Sequence, residues 1–381
     1  MADFKIKNGL QVGKSLNEAV GTVTGNATLD LATGNSFALT PTDNVTFVFS
    51  NPPATGAAFN FSLKLTGELI DNSYDLANAS YDSVSFSVAS QETLPIALHF
   101  KSDGTKMYVI GEANNAVNEY NLSTAWDIST ASYSQNFSVA AQETGTAALF
   151  FKPDGTKMYI SGYSGDDVNE YNLSSAWDVS TASYVQNFSV SAQEASYPSG
   201  ISFKTDGTVM YIVGSGSDAI HQYALSSAWD ISTASFTQSF SVSAQEASPS
   251  GIFFKTDGTA VYIIGFAGDD VNEYSLSSAW DISTASYVQN FSVAAQDNAP
   301  HDVFFGLNGT KMYIVGNQND NVYQYSTGTY GDATFTYPAS VKWPNGTPPA
   351  APADGETDIL TFNTKDGGTT WYGIRVGDDL S

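Results

Sequence analysis

The sequence predicts an all-β protein in which a five-bladed β-propeller interrupts a discontinuous, jelly-roll-like β-sandwich. Three observations predict it. Asp-Gly-Thr starts at Asp103, Asp154, Asp206 and Asp257, and a fifth copy reads Asn308-Gly309-Thr310, giving steps of 51, 52, 51 and 51 residues. Phe-Ser-Val starts at Phe86, Phe137, Phe188, Phe240 and Phe291 and keeps the same step to within one residue. Two markers in register over five copies mean a solenoid, propeller or array. The third observation is that strand-like alternation stops at Gly67 and resumes at Ala333, on either side of the repeats.

Residues 1–21 are polar and Gly-rich, with Phe4, Ile6, Leu10 and Val12 spaced for a short strand. They are expected to act as a docking arm on a partner or neighbouring subunit, with a frayed terminus as the alternative. From Thr22 the pattern is β: Ala27–Leu31, Ser36–Thr40, Val45–Phe49 and Ala58–Thr66, the last with Phe59, Phe61, Leu63 and Leu65 on one face. After the repeats come Ala333–Tyr337, Val341–Trp343, Asp358–Asn363 and Thr370–Val376. Neither flank has enough strands for a sandwich by itself, so 22–71 and 328–381 are expected to form one domain. The propeller, 72–327, should sit where a hairpin turn would otherwise join Thr66 to Thr334.

Within one repeat, strand a (Leu149–Lys152) runs into a Pro153–Thr156 turn whose Gly supplies positive φ. Strand b (Lys157–Ser161), strand c (Val168–Leu173) and strand d (Ala182–Val190) follow. Four short antiparallel strands make a blade. The array opens with a lone d strand, Ala79–Val88, and closes with a, b and c alone. The first d strand should therefore complete the last blade, close the ring at five and remove the open edge. Ala-Trp-Asp recurs at Trp126, Trp177, Trp229 and Trp280. The fifth copy is read as missing, at the point where the chain enters and leaves the propeller.

Composition excludes several classes. Lys and Arg number 14 against 39 Asp and Glu, a net charge of −25, and Arg375 is the sole arginine. No basic surface for nucleic acid or anionic membrane is available. No run is long enough to span a bilayer, and the N-terminus has no apolar signal region. There is no cysteine, hence no disulfide and no Cys-ligated metal.

Catalytic chemistry is not evident. His99, His221 and His301 occupy three different repeat positions and are expected to be incidental. Trp of each Ala-Trp-Asp should pack on the blade edge while Asp caps the next turn; these Trp lie on the face assigned to the host domain, which disfavours sugar binding. The d–a loops repeat an acid after Gln: Glu92, Glu143, Glu194, Glu246 and Asp297. With Asp167 and Asp270 of the b–c loops they should form an acidic ring on the distal face. Such oxygen-only groups suit Ca²⁺ or a basic or hydroxyl-rich ligand; the competing explanation is a turn cap copied with each blade.

The flanks resemble a β-rich module of phage and prophage structural proteins. The residues that carry this are Thr28–Leu31, Asn44–Pro53, Ser340–Pro344 and Asp366–Gly373, with Phe4–Leu10 similar to the start of many tail-fibre proteins. The repeats look like bacterial surface-protein propellers with a DGT-x-MY motif. The resemblance implies a virion protein, a fibre or decoration protein of a commonly trimeric kind, made in the host cytoplasm. It would bind other virion proteins through the arm and sandwich and present the propeller to host protein or glycan. A passive decoration protein is the alternative. An enzyme is not expected, because it would need a blade with a unique acid or base, and the blades look too alike to supply one.

Overall fold

The protein is described by a computed structural model covering residues 18–19, 26–42 and 44–378. The expected docking arm, with Phe4–Leu10, lies outside these residues apart from Glu18–Ala19. The chain divides into two compact units, 1–71 with 329–381, and 72–328.

The first unit has a six-stranded sheet in the order Glu18–Ala19, Ser36–Leu39, Phe59–Thr66, Thr357–Thr364, Trp371–Gly377, Val341–Lys342. A three-stranded sheet pairs Val45–Ser50 in parallel with both Asn26–Asp30 and Phe335–Thr336. Alternation drives both: Phe61, Leu63 and Leu65 are buried, and with Phe37, Leu360, Phe362 and Trp371 they meet Leu29, Val45 and Phe47 in one core. Phe49 lies edge-on to Phe61 at 5.0 Å and to Trp371 at 5.6 Å. The lone arginine, Arg375, reaches the buried Asp358 at 3.1 Å and Asp378 at 2.7 Å.

Where a hairpin is expected between Thr66 and Thr334, the chain leaves and returns through an antiparallel pairing that begins with the Ala333 N–H on the Glu68 carbonyl at 3.0 Å, but the long strand before it has a different partner. Phe59–Thr66 pairs instead with Thr357–Thr364, while Thr334 accepts the Val45 N–H from the other sheet. Leu69–Asp71 and Tyr330–Asp332 form a separate two-stranded ribbon.

The second unit is a β-propeller of five four-stranded antiparallel sheets. The inner strands are Pro95–Phe100, Thr146–Phe151, Pro198–Phe203, Pro249–Phe254 and Pro300–Gly306; blades 1 to 5 are named in this order. In blade 5 the fourth position is held by Ser80–Ser87, paired with Asn321–Ser326 from Ser80↔Ser326 to Ser87↔Asn321. Five buried clusters of Val, Ile, Met, Phe and Tyr fill the space between neighbouring blades.

A circle of hydrogen bonds ties each blade to the next. Tyr108 donates its hydroxyl to the Trp177 carbonyl at 2.7 Å, Tyr159 to Trp229 at 2.7 Å and Tyr211 to Trp280 at 2.6 Å. Tyr313 donates to Trp126 at 2.5 Å, linking blade 5 to blade 1. The remaining link corrects the sequence reading. Tyr262 donates to the carbonyl of Tyr74 at 2.8 Å, so Tyr74 stands in the place of the fifth Trp. Tyr74 has φ +63°, against +65° or +66° for the four Trp. Asp75 caps the following 3-10 turn through the Ala77 N–H, as Asp127, Asp178, Asp230 and Asp281 cap theirs. The fifth copy is present, with Tyr for Trp.

Candidate functional site: an axial aromatic cavity

Each inner strand ends in an apolar residue, a variable one and a Phe: Leu98-His99-Phe100, Leu149-Phe150-Phe151, Ile201-Ser202-Phe203, Ile252-Phe253-Phe254, Val303-Phe304-Phe305. The final Phe lies against the aromatic residue of its own c–d loop: Phe100 on Trp126 at 5.7 Å, Phe151 on Trp177 at 5.5 Å, Phe203 on Trp229 at 5.4 Å, Phe254 on Trp280 at 5.3 Å and Phe305 on Tyr74 at 5.4 Å. The variable residues form an inner belt. Phe253 and Phe304 are 5.4 Å apart, His99 is 5.1 Å from Phe304 and 5.3 Å from Phe150, and Ser202 interrupts the run. Together they enclose a cavity of about 360 Å³, reached between the a–b turns and the c–d loops. Its size and apolar walls match small-molecule pockets.

Two residues before each stacked Phe is one more wall position, where the five inner strands read Leu98, Leu149, Ile201, Ile252 and Val303. One residue earlier they read Ala97, Ala148, Gly200, Gly251 and Asp302. Four blades thus carry no side-chain polarity there, and blade 5 carries a carboxyl that lines the cavity. Asp302 Oδ2 accepts the Leu98 N–H from blade 1 at 3.1 Å, and Oδ1 accepts the Val303 N–H at 2.9 Å. The small residue at Gly251 makes room, since a Cβ there would meet Asp302 Oδ1 at 2.5 Å.

Burial governs the charge state. It pushes the Asp302 carboxyl up to about 8, against the pull of the two N–H groups. Burial likewise lowers His99 to about 3, so its ring is neutral. At pH 7 the cavity therefore holds a neutral carboxylic acid and a neutral imidazole among aromatic rings. A neutral acid in an apolar site is a hydrogen-bond donor.

Asp302 is not among the repeated residues, and its signal in the sequence is that it is the one copy that departs from Ala or Gly. It also removes the objection that no blade carries a unique acid. His99 proves to be a wall of this cavity. His301 lies in the inner strand of blade 5, not in a loop, and its ring sits 4.8 Å from Phe266. His221 shares Ser217 with Glu194, through contacts of 2.8 and 2.7 Å to the hydroxyl. The Glu meets the Ser, not the far ring nitrogen of the His, so this is not a Ser-His-acid triad.

The acidic residues expected on the distal face are buried. Glu92, Glu143, Glu194, Glu246 and Asp297 are at most 1% exposed. Glu92 accepts the N–H groups of Leu94 at 2.8 Å, Ala113 at 3.0 Å and Asn114 at 3.2 Å. Glu143 accepts Gly145, Ser164 and Gly165; Glu194 accepts Tyr197, Gly216 and Ser217; Glu246 accepts Ser248, Ala267 and Gly268. Asp297 accepts Ala299 at 2.9 Å. Each carboxylate bridges its own d–a loop to the adjacent b–c loop, and that need for a backbone acceptor recurs with every blade. Asp167 is held by Asn169 at 2.7 Å and Asn187 at 2.5 Å, and Asp270 by Asn272 and Asn290. The side chains form loop braces, not an exposed ring. No group of three or more His, Asp or Glu among the described residues is arranged to hold a metal ion.

The family model described as "Lactonase, 7-bladed beta-propeller" matches residues 73–229, from the turn before the first outer strand to the third Trp. No curated protein matches the chain. Similar solved structures include a protein from Lactobacillus plantarum, 15% identical over 64% of this chain and 72% of that one, with a TM-score of 0.40. A protein from Bacteroides uniformis, provisionally named a 6-phosphogluconolactonase, is 13% identical over 74% and 84%, with a TM-score of 0.38. A periplasmic gluconolactonase from Pseudomonas aeruginosa is 14% identical over 64% and 70%, also at 0.38. The family match corrects the phage resemblance. The expected fibre or decoration role, the virion location and the non-enzymatic reading go with it. What the propeller is similar to, over residues 73–229, is a family of lactonase propellers.

Proposed function

We propose that the propeller is an enzyme that takes a small cyclic ester into the axial cavity and opens it with water. Asp302 is the observation that carries this reading: one carboxyl, in one blade only, in an apolar chamber wide enough for a ring. In its neutral form Asp302 has one proton to give, since its oxygens already accept the Leu98 and Val303 N–H groups. An ester carbonyl placed against that proton is stabilised as negative charge develops on its oxygen. Water adds its oxygen to the carbonyl carbon, the ring C–O bond breaks, and the departing ring oxygen takes a proton from the water. The product is the open hydroxy acid. The belt of Phe rings would hold the faces of the substrate. The family match on 73–229 supports the same reaction class.

The test is hydrolysis of dihydrocoumarin and of gluconolactone at pH 7, followed by acid release, in EDTA and in Ca²⁺. It is run beside Asp302→Gly, the residue that blades 3 and 4 carry. Turnover above the buffer rate that falls about 100-fold in the variant supports the reading. Buffer-level rates with every lactone, from protein that remains folded, would sink it.

The same proposal extends to the scaffold: Ser80–Ser87 acts as the clasp that closes the ring, and the two sheets of the other unit act as a sandwich. Charge placement supports the clasp. In blades 1 and 2, Lys106 and Lys157 pair with Glu119 and Glu170 of their own third strand. Blade 5 has Gln324 at that place, and Lys311 pairs instead with Asp82 of the clasp at 2.5 Å. Asp82 also accepts Ser326 at 2.7 Å. Asp82→Asn is therefore expected to cost the propeller about 2 kcal/mol, because it leaves a half-buried Lys without its anion. Urea unfolding of the propeller transition reads this; an unchanged midpoint would remove the clasp pair from consideration.

A further inference from the structure

The geometry points to a neutral lactone with a flat apolar substituent, and not a phosphorylated sugar lactone, as the ligand of the axial cavity, with the substituent lying toward blade 3. This rests on reading the cavity as a lactone site. Among the described residues no lysine or arginine lines the cavity. The lysines nearest its rim follow the stacked Phe in blades 1 to 4, and each is already neutralised. Lys101 meets Asp103 at 2.7 Å, Lys152 meets Asp154 at 2.7 Å, Lys204 meets Asp206 at 2.8 Å and Lys255 meets Asp257 at 3.3 Å.

Those pairs are charged on both sides at pH 7. Partial burial opposes ionisation of Asp103, yet bonds from Lys101 and Thr105 hold it down to about 2. In blade 5 the pair is replaced by Gly306 and Asn308, which are neutral. A phosphate dianion entering the chamber would shed its hydration against Phe and Trp rings and find no cation in return. A neutral aromatic or alkyl ring meets the surface it prefers.

The shape adds direction. At the two cavity-wall positions of the inner strand, blade 3 has Gly200 and Ser202, where blade 2 has Ala148 and Phe150. Ser202 is the only residue of the inner belt that is not an aromatic ring, so the belt opens there. An apolar cavity of about 150 Å³ holds benzene, so one of about 360 Å³ holds a lactone ring fused to a second ring.

The experiment compares wild-type protein with Ser202→Phe, which restores the ring most other blades carry. Three substrates are used: δ-valerolactone, dihydrocoumarin and 6-phosphogluconolactone. Binding of dihydroquinolinone, the lactam that water does not open, is followed by calorimetry. Expected are kcat/KM for dihydrocoumarin at least 100-fold above the phosphorylated lactone, and a tenfold or greater loss of dihydrocoumarin turnover and lactam binding in Ser202→Phe, larger than its loss with the smaller δ-valerolactone. Preference for the phosphorylated lactone would overturn the inference and leave the lactonase reading standing. Tight lactam binding that Ser202→Phe abolishes, with no lactone opened, would do the reverse. No lactam binding, or binding indifferent to Ser202→Phe, would overturn the inference.

Discussion

Gly155→Ala should lower the stability of the propeller by about 3 kcal/mol, a large loss for one methyl group. Gly155 has φ +72°, where an L residue pays about 1 kcal/mol for its Cβ. The larger part comes from Trp177. A Cβ on Gly155 would lie 2.4 Å from Cδ1 and Nε1 of that indole, so the ring must leave its seat. The ring has nowhere to go without cost. The backbone at Trp177 is tied down as well: its N–H donates to the Gly155 carbonyl at 3.0 Å, and its carbonyl accepts Tyr108 at 2.7 Å and Lys106 at 3.1 Å from blade 1. Displacement therefore disturbs both a turn and the link between two blades. A double-mutant cycle separates the contributions. In a Trp177→Ala background the cost of Gly155→Ala should fall to about 1 kcal/mol, the backbone strain alone. An unchanged cost in both backgrounds would mean that the indole contact is not the cause.

That contact also explains which parts of the fold were legible in the sequence. Asp-Gly-Thr and Ala-Trp-Asp recur because the Gly and the Trp are two halves of one packing unit, so their spacing reported the blade. Tyr74 was not legible as the fifth copy because a phenol replaces the indole, although Asp75 keeps the cap and Gly309 keeps the turn: a Cβ on Gly309 would meet the Tyr74 ring at 2.1 Å. The flank strands and their antiparallel join next to the propeller were legible, but the partner of Phe59–Thr66 was not. Alternation says which face is buried and is silent on partners, and several of these strands pair in parallel across the sequence. The candidate site failed for a different reason. Glu92, Glu143, Glu194 and Glu246 recur because each blade has the same backbone N–H groups to satisfy, so repetition marked scaffold. Asp302 and Ser202 break the repeat, and in a duplicated ring a cavity can acquire specific chemistry only at such breaks.

Asp302 should also leave a signature in the pH dependence of stability. In the unfolded chain its carboxyl titrates near 4, whereas burial holds it up to about 8 in the folded state. Below pH 4 both states are protonated and the group is neutral in its effect. Between pH 4 and pH 8 the unfolded chain gives up the proton and the folded chain keeps it, so unfolding is increasingly favoured as pH rises. Above pH 8 the full penalty is in place. The side chain retains some contact with solvent through the cavity, so the penalty is taken as about 3 kcal/mol, less than the whole shift implies. Asp302→Gly removes the titration. Its stability relative to wild type should therefore rise by about that amount between pH 4.5 and pH 8.5, whatever offset the lost Leu98 and Val303 hydrogen bonds add at every pH. Denaturant unfolding at four or five pH values measures it. A difference that stays flat would mean that the folded carboxyl is ionised throughout, and with it would go the hydrogen-bond donor on which ester opening depends. A difference that rises should be matched in wild-type turnover by a fall as pH passes 8, because the proton that leaves Asp302 is the one offered to the carbonyl oxygen.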